Sequence, residues 1–295
     1  MQNLKIVYLN IGSSFDQLRM SSRSARQWNP SAEIVVYSNS TEAELVSNKI
    51  EFDHHQYWKY IQEDARVAIG SKDFAELTAQ KSAVIIDSLQ TYNSPTLYVD
   101  TDVIFNNSVS DSLAKCLEIK PLWISSDSHW GFDGVPSLGV CMGILAVKPD
   151  PVVLSFLQKW HLSHLNHIQS QNYIHDQDAF NLLYQSEQEL YALTGIFPVT
   201  FAMPGWMYPS ISHFHRFKNG VVTPPMFHCS YVAHDEEKIA RMKHLLKMQM
   251  KHQSWAQFCK NLIDLVFSTY KECRPSYSSV FHSERRKSTA TKSVK

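Results

Sequence analysis

The sequence predicts an α/β protein with a mostly parallel sheet flanked by helices, and two observations support this. Short apolar segments rich in β-forming residues alternate with longer segments of helical pattern, as crossover connections between parallel strands require. One apolar segment then ends on Asp100 and Asp102, and in open α/β sheets ligands bind at the carboxyl ends of the strands. The 295 residues suit one large domain or two small ones.

The first third of the chain supplies the β-α-β pattern of the prediction. Each strand is short, apolar and bounded by turn residues, and each helix ends at an Asn-Pro or Asn-Ser-Pro signal. The predicted elements are a strand over Leu4–Leu9, a helix over Phe15–Trp28, a strand over Glu33–Tyr37, mostly helix over 55–92, and a strand over Thr96–Val99.

The rest of the chain continues the alternation and ends in a polar segment. Strands are predicted over Pro121–Ser125, Leu138–Val147 and Val221–Phe227, and helices over Pro151–His167, His175–Tyr184, Asp235–Met250 and Trp255–Tyr270. We therefore expect one α/β domain over 1–250, a C-terminal helix over 251–274 packed on or beside it, and a flexible basic tail over 275–295.

The composition argues against two classes of protein. Lys+Arg and Asp+Glu are equal at 28 each, so a general nucleic-acid binder held by phosphate neutralisation is not expected. No apolar segment has the length of a signal-peptide core or a membrane span. The five cysteines form no C-x-x-C pair, which fits reduced thiols. We expect a cytoplasmic protein whose membrane contact is at most peripheral, at the inner membrane face.

The segment Leu97–Asp102 carries the clearest chemical signal. Residues two apart in a strand point the same way, so Asp100 and Asp102 are expected to converge at a strand end. Two carboxylates there form a hard oxygen site suited to Mn²⁺ or Mg²⁺. A divalent ion so held can bridge the two phosphates of a nucleotide diphosphate and stabilise the charge of that leaving group.

Three further segments accompany this D-x-D. They are Gly139–Pro149, with glycine and apolar residues before a proline, Asp176–Asn181, which reads D-Q-D-x-x-N, and His228–Lys238. In this order and spacing they resemble the GT-A-fold nucleotide-diphospho-sugar transferases, a group related to glycosyltransferase family 8. No Pro-Trp follows Lys238, which places the resemblance nearer the family 77-like branch. The resemblance covers about residues 1–245 and implies a Rossmann-like sheet with a C-terminal helical extension.

The resemblance implies a metal-dependent sugar transfer and assigns site residues. The implied ligands of Mn²⁺ (or Mg²⁺) are Asp100, Asp102 and His228. The implied donor-binding residues are Asn10, Gly12, Lys81, Asp100, Asp178 and Lys238. The implied catalytic positions are Gln177, beside the anomeric carbon, and Asp176. Two residues depart from the family pattern: Cys141 stands where Asn is common, which removes one expected contact to the donor sugar, and His234 stands where Gly is usual.

The implied reaction retains the anomeric configuration, with the departing phosphate taking the acceptor proton. A covalent route would need Asp176 or Asp178 as nucleophile, and inversion would need a general base, for which Asp127 and Asp133 are candidates. The expected partners are a nucleotide-sugar donor and a glycan, lipid-linked or protein acceptor, with no nucleic acid.

Two alternatives stay open at this stage. A haloacid dehalogenase-type phosphatase also uses an apolar strand followed by D-x-D, but its motif normally opens the domain and no Asp-Asp pair follows here. A non-catalytic domain of the same fold that binds a glycan or protein is the other alternative, favoured by the departures at Cys141 and His234.

The spacing of His161, His164 and His167 suggests zinc, but a zinc site needs a fuller ligand set, so we interpret them as a polar helix face.

Overall fold

The computed structural model describes residues 3–11, 15–59, 70–126, 140–198, 201–203, 224–230 and 235–250. Its first compact unit is Met1–Gly205 with Val222–Lys247; the second is Trp206–Val221 with Met248–Lys295, of which only the end of the last helix is described. The elements are β1 (Lys5–Asn10), α1 (Phe15–Trp28), β2 (Glu33–Ser38), α2 (Glu42–Ser47), β3 (His54–Tyr57), α3 (Lys72–Tyr92), β4 (Thr96–Val99), β5 (Val103–Phe105), α4 (Ser110–Ile119), β6 (Leu122–Ser126), β7 (Val140–Val147), α5 (Pro151–Gln169), α6 (Asp176–Ser186), α7 (Gln188–Leu193), β8 (Thr194–Phe197), β9 (Ala202–Met203), β10 (Met226–His228) and α8 (Asp235–Met250).

The main sheet has seven strands in the order β3-β2-β1-β4-β7-β6-β8. The strands β3, β2, β1 and β4 are parallel, β7 is antiparallel to both β4 and β6, and β6 is parallel to β8. Only β7 therefore runs against the rest. The prediction of a mostly parallel sheet is confirmed.

Helices cover both faces of this sheet, because the side chains of each buried strand alternate between two apolar clusters. In β1, Ile6 and Tyr8 belong to one cluster and Val7 to the other. The first cluster includes residues of α1 and α4, and the second includes residues of α3, α5 and α6. This layered arrangement is the Rossmann-like GT-A architecture that the resemblance implies.

A second, three-stranded sheet determines where the site lies. It has the order β5-β10-β9, with β5 antiparallel and β9 parallel to β10. The strand β5 begins directly after the D-x-D, and His228 at the end of β10 is the register partner of Val103. This pairing brings His228, which is late in the chain, beside the D-x-D segment, which is in the first half.

One local prediction differs from the structure, and others fall on residues that it does not describe. The segment predicted to be mostly helical begins with the strand β3, because His54–Tyr57 pairs along the edge of β2. The predicted helix over Trp255–Tyr270, and the segments 251–274 and 275–295, lie outside the described residues. Within the part of the chain described here, no helix has the length and apolar character needed to cross a membrane.

Candidate active site

The D-x-D lies in a turn between β4 and β5 rather than within a strand. Asp100 N–H donates to the Gly143 carbonyl of β7 over 2.8 Å, and Val103 N–H donates to the Asp100 carbonyl over 3.1 Å. Cys229 N–H, after β10, donates to the Asp102 carbonyl over 2.9 Å. The two carboxylates converge as predicted, but the cause is different. The two sheets fix the backbone of the turn, whereas the prediction relied on the two-residue repeat of a strand.

Three side chains meet in front of this turn. One ligating atom each of Asp100, Asp102 and His228 lies within 4.8 Å of the others. His228 Nε2 is 3.1 Å from Asp102 Oδ1 and 3.7 Å from Asp100 Oδ2. Asp102 and His228 are only 3% and 4% exposed. Two carboxylates and an imidazole form a donor set that suits a divalent cation such as Mn²⁺.

The electrostatics of Asp102 fit a bound cation. Burial favours the neutral acid, but the charges of Lys238 and His228 outweigh it and hold the pKa of the Asp102 carboxyl below its usual range. Lys238 Nζ lies 2.8 Å from Asp102 Oδ2. The other oxygen, Oδ1, is buried without a hydrogen-bond partner, although His228 Nε2 is within ion-pair distance. A buried, negatively charged oxygen without a hydrogen bond is energetically costly, and a bound cation would offset that cost.

Lys81 connects the D-x-D to the start of α6. Its Nζ is 3.0 Å from both carboxylate oxygens of Asp100 and 3.2 Å from Asp176 Oδ2. Tyr98 O–H also donates to Asp100 Oδ1, over 3.0 Å. Burial alone would lower the pKa of Lys81, but the two carboxylates raise it well above its ordinary value. Lys81 is therefore a charged group in a largely buried cluster.

The acidic residues of α6 have different surroundings. Asp176 is buried beside Lys81, whereas the Asp178 side chain is 51% exposed and 3.2 Å from His175 Nε2. Gln177 lies between them on the first turn of the helix. Asp176 is connected to the group around Asp100 through Lys81.

Most of the chain resembles a known protein family. Residues 32–242 match the profile of the family described as nucleotide-diphospho-sugar transferase, which is well over half of the chain. The chain belongs to this family. The match includes the D-x-D turn and His228, which form the cluster, and α6, which is connected to it through Lys81. A search of curated proteins finds no match.

Solved structures support the fold of this chain. The galactosyltransferase LgtC, in complex with donor and acceptor sugar analogues, superposes with a TM-score of 0.55 at 15% identity over 87% of this chain and 99% of its own. The glycosyltransferase GlyE of Streptococcus pneumoniae TIGR4 gives 0.54 at 15% identity over 91% of this chain, which spans 64% of GlyE. A glycosyltransferase involved in glycosylating the major capsid of PBCV-1 gives 0.52 at 10% identity, over 82% of this chain and 99% of its own. At these identities the likeness establishes the GT-A fold alone.

Of the other predicted site residues, one lies at the end of β1 and several lie outside the described part. Asn10, at the end of β1, is 2% exposed, and its Oδ1 has no hydrogen-bond partner among the described residues. Gly12, Asp127, Asp133 and His234 lie outside the described residues. The positions of Asn10 and Lys238 are compatible with a donor bound at the carboxyl ends of the strands.

The three histidines of α5 each have a separate partner. His161 Nδ1 lies 2.9 Å from Ser82 Oγ, His164 Nε2 lies 2.9 Å from the Ile174 carbonyl, and His167 Nδ1 lies 3.0 Å from Asn172 Nδ2. His164 is fully buried, so the three do not form one polar surface. Among the residues with described positions, the group of three or more ligands able to hold one metal is Asp100, Asp102 and His228.

Sequence patterns missed one residue that organises the site. Gln17 is buried in α1; its Oε1 accepts from Thr101 Oγ1 over 3.3 Å, and its Nε2 donates to Asp235 Oδ1 over 3.1 Å. It thus links the middle of the D-x-D to the start of α8, which carries Lys238. A single Gln in an amphipathic helix gives no signal of this role, because both partners are remote in sequence.

Proposed function

We propose that this transferase binds a divalent cation, Mn²⁺ or Mg²⁺, through Asp100, Asp102 and His228, and moves a sugar from a nucleotide-diphosphate donor to an acceptor. The observation that carries the proposal is the convergence of these three ligands around a buried carboxylate oxygen without a hydrogen-bond partner. The imidazole favours Mn²⁺, since harder ions prefer an all-oxygen set. When bound, the cation supplies charge stabilisation for the departing diphosphate.

The cationic side chains around this cluster support a role in donor binding. Lys238 reaches Asp102 from α8, so its ammonium group lies where a diphosphate beside the cation would also meet it. Lys81 supplies a second positive charge, paired with Asp100. Asn10 and Gly12 follow the first strand, and we propose that this segment contacts the nucleotide.

The first turn of α6 is proposed to face the donor sugar. Gln177 would lie beside the anomeric carbon, Asp176 would orient sugar hydroxyls or shape the acceptor pocket, and Asp178 would bind the donor. The ion pair between Asp176 and Lys81 disfavours Asp176 as a covalent nucleophile, because the paired carboxylate is less free to attack. Within the retaining reaction that the resemblance implies, we therefore favour a route without a covalent intermediate, with the departing phosphate taking the acceptor proton and the protein acting by positioning and electrostatics.

The acceptor is proposed by class only: a glycan, a lipid-linked oligosaccharide or a protein side chain. The galactosyltransferase LgtC and the enzyme involved in glycosylating the PBCV-1 capsid share the fold of this chain. Hexose transfer by this chain to a glycan or glycoprotein would be consistent with that likeness. Family membership gives no support to a dehalogenase-type phosphatase. A domain without activity stays the competing hypothesis, because Cys141 replaces the common Asn.

A donor-hydrolysis screen tests the proposal. The purified full chain is incubated with UDP- and GDP-sugars in Mn²⁺, in Mg²⁺ and in chelator, and the free nucleoside diphosphate is measured. We expect turnover of at least one donor with metal, loss in chelator, and loss in Asp102→Asn. Asp111→Asn, at an exposed carboxylate on α4, is the matched control and should keep full turnover. Folded protein that turns over no donor, or turnover indifferent to metal, would contradict the proposal.

A further inference from the structure

The ring of His228 lies in a cradle formed by two residues of β7. Cys141 Sγ is 3.3 Å from His228 Nδ1. Gly143, two residues further on the same face of the strand, lies against the ring itself. A Cβ atom at position 143 would be 2.1 Å from His228 Cε1 and 2.7 Å from Nε2, far inside contact distance. The imidazole is thus held at one nitrogen by Cys141 and fits only because residue 143 has no side chain.

We propose that Cys141 is a positioning residue for the metal ligand His228. Its thiol fixes the orientation and tautomer of the ring so that Nε2 is presented to Asp100 and Asp102, while Gly143 leaves room for the ring. This inference rests on the proposed metal-binding function and deepens it. Cys141 then orients a metal ligand, instead of making the contact to the donor sugar that an Asn is expected to make at this position.

The chemistry of the ring explains why the thiol suits this position. To bind a cation, Nε2 must be unprotonated, so the single ring proton must be on Nδ1. That N–H then points at Cys141 Sγ, which accepts it. A thiol or a hydroxyl can accept this hydrogen bond, whereas a methyl group cannot.

The fit is also geometric. Metal-bound histidines commonly use their second nitrogen for a hydrogen bond that orients the ring, and such partners influence metal affinity strongly. Cys141 is 5% exposed and Gly143 lies in the middle of a fully buried strand, so neither position is adapted to solvent. The main-chain carbonyl of Gly143 accepts from Asp100 N–H, so one short segment of β7 supports two of the three ligands.

Direct Mn²⁺ titration, followed by the electron paramagnetic resonance signal of the free ion, tests the proposal without donor or acceptor. Cys141→Ala should weaken Mn²⁺ binding by roughly tenfold or more, in the range found for partners of metal-bound histidine. Cys141→Ser should stay within about threefold of wild type, because a hydroxyl can both donate and accept. Cys116→Ala, the same change at a thiol of α4, is the control and should leave the affinity unchanged.

A double-mutant cycle separates positioning from a general effect on packing. If Cys141 acts through His228, then Cys141→Ala/His228→Ala should bind Mn²⁺ no more weakly than His228→Ala alone. A further loss in the double variant would show that the thiol acts elsewhere and would overturn the proposal. Unchanged affinity in Cys141→Ala would overturn it equally.

Two further outcomes complete the test. Gly143→Ala must displace the ring, so its Mn²⁺ affinity should fall to that of His228→Ala; retained affinity would refute the cradle even if Cys141→Ala fails to fold. If wild type binds no Mn²⁺, the metal role of the site fails and the inference with it. If wild type binds Mn²⁺, Asp102→Asn does not, and Cys141→Ala is unaffected, the inference alone fails.

Discussion

Replacing Lys81 by Met should destabilise the protein more than any ordinary loss of a lysine. Lys81 is the shared cation of Asp100 and Asp176, at 3.0 and 3.2 Å, and its side chain is largely buried. Breaking a buried ion pair by removing one partner costs about 3–5 kcal/mol, because an uncompensated charge stays behind. Asp100 is partly accessible to water, so we expect a cost at the lower end, about 3 kcal/mol in the free energy of unfolding.

The same helix offers a matched control for this substitution. Lys72 pairs with Glu76 one turn away at 3.3 Å, and both side chains are exposed. An exposed pair of this kind contributes about 0.5 kcal/mol or less, so Lys72→Met should be nearly neutral. Urea denaturation in chelator measures both variants. At about 2–4 °C per kcal/mol, Lys81→Met should also melt about 6–12 °C below wild type.

A second substitution tests the cause rather than the size of the effect. Asp176→Asn alone leaves Lys81 paired with Asp100, so it should cost only about 1 kcal/mol. In the Lys81→Met background it removes the buried charge that lost its partner, so it should restore part of the stability. Strictly additive losses in the double variant, or a Lys81→Met cost no larger than that of Lys72→Met, would refute the explanation.

Three further predictions concern the metal, the sheet and pH. Asp102→Asn should lose Mn²⁺ binding in a titration without donor while keeping the wild-type circular dichroism spectrum; unchanged affinity would remove Asp102 from the ligand set. Gly195→Ala should lower the free energy of unfolding by about 1–3 kcal/mol in urea, because its Cβ would lie 2.5 Å from the Trp123 indole; a neutral result would show that the indole can move. Burial lowers the pKa of His164 despite its hydrogen bond to Ile174 and the nearby Asp176. The unfolded chain therefore binds the proton more readily, and stability should fall as pH drops through the unfolded value of about 6.5. His164→Asn should show a weaker loss over the same pH range, and an equal loss would contradict this role of the buried ring.

The sequence predicted those parts of the fold that depend on local patterns. The bounds of α1 and β4 agree with the structure, because an apolar repeat and clear stop signals define them within a few residues. The D-x-D was also expected at a strand end beside a ligand site, and the cluster of Asp100, Asp102 and His228 lies there. His228 was found only through family resemblance, since nothing in its own neighbourhood indicates a ligand.

Features that depend on remote contacts were not predictable in this way. The strand β3 forms because His54–Tyr57 pairs with β2, although the segment lacks the alternation of a typical strand. The link through Gln17 likewise depends on partners far along the chain, and the direction of β7 is set by its antiparallel pairing with both β4 and β6. The two aspartates converge through a turn fixed by β7 and β10, and no spacing rule describes that turn.

The pairing of β5 with β10 is therefore the step that brings the third proposed metal ligand to the acidic motif. Two ligands come from the turn before β5, and the third comes from β10, whose register sets His228 opposite Val103. The next helix, α8, then brings Lys238 to Asp102. Because the unfolded chain does not hold these groups together, a cation that binds them stabilises the folded state by mass action. The stabilisation should depend on the pairing of β5 with β10 as much as on the ligands themselves.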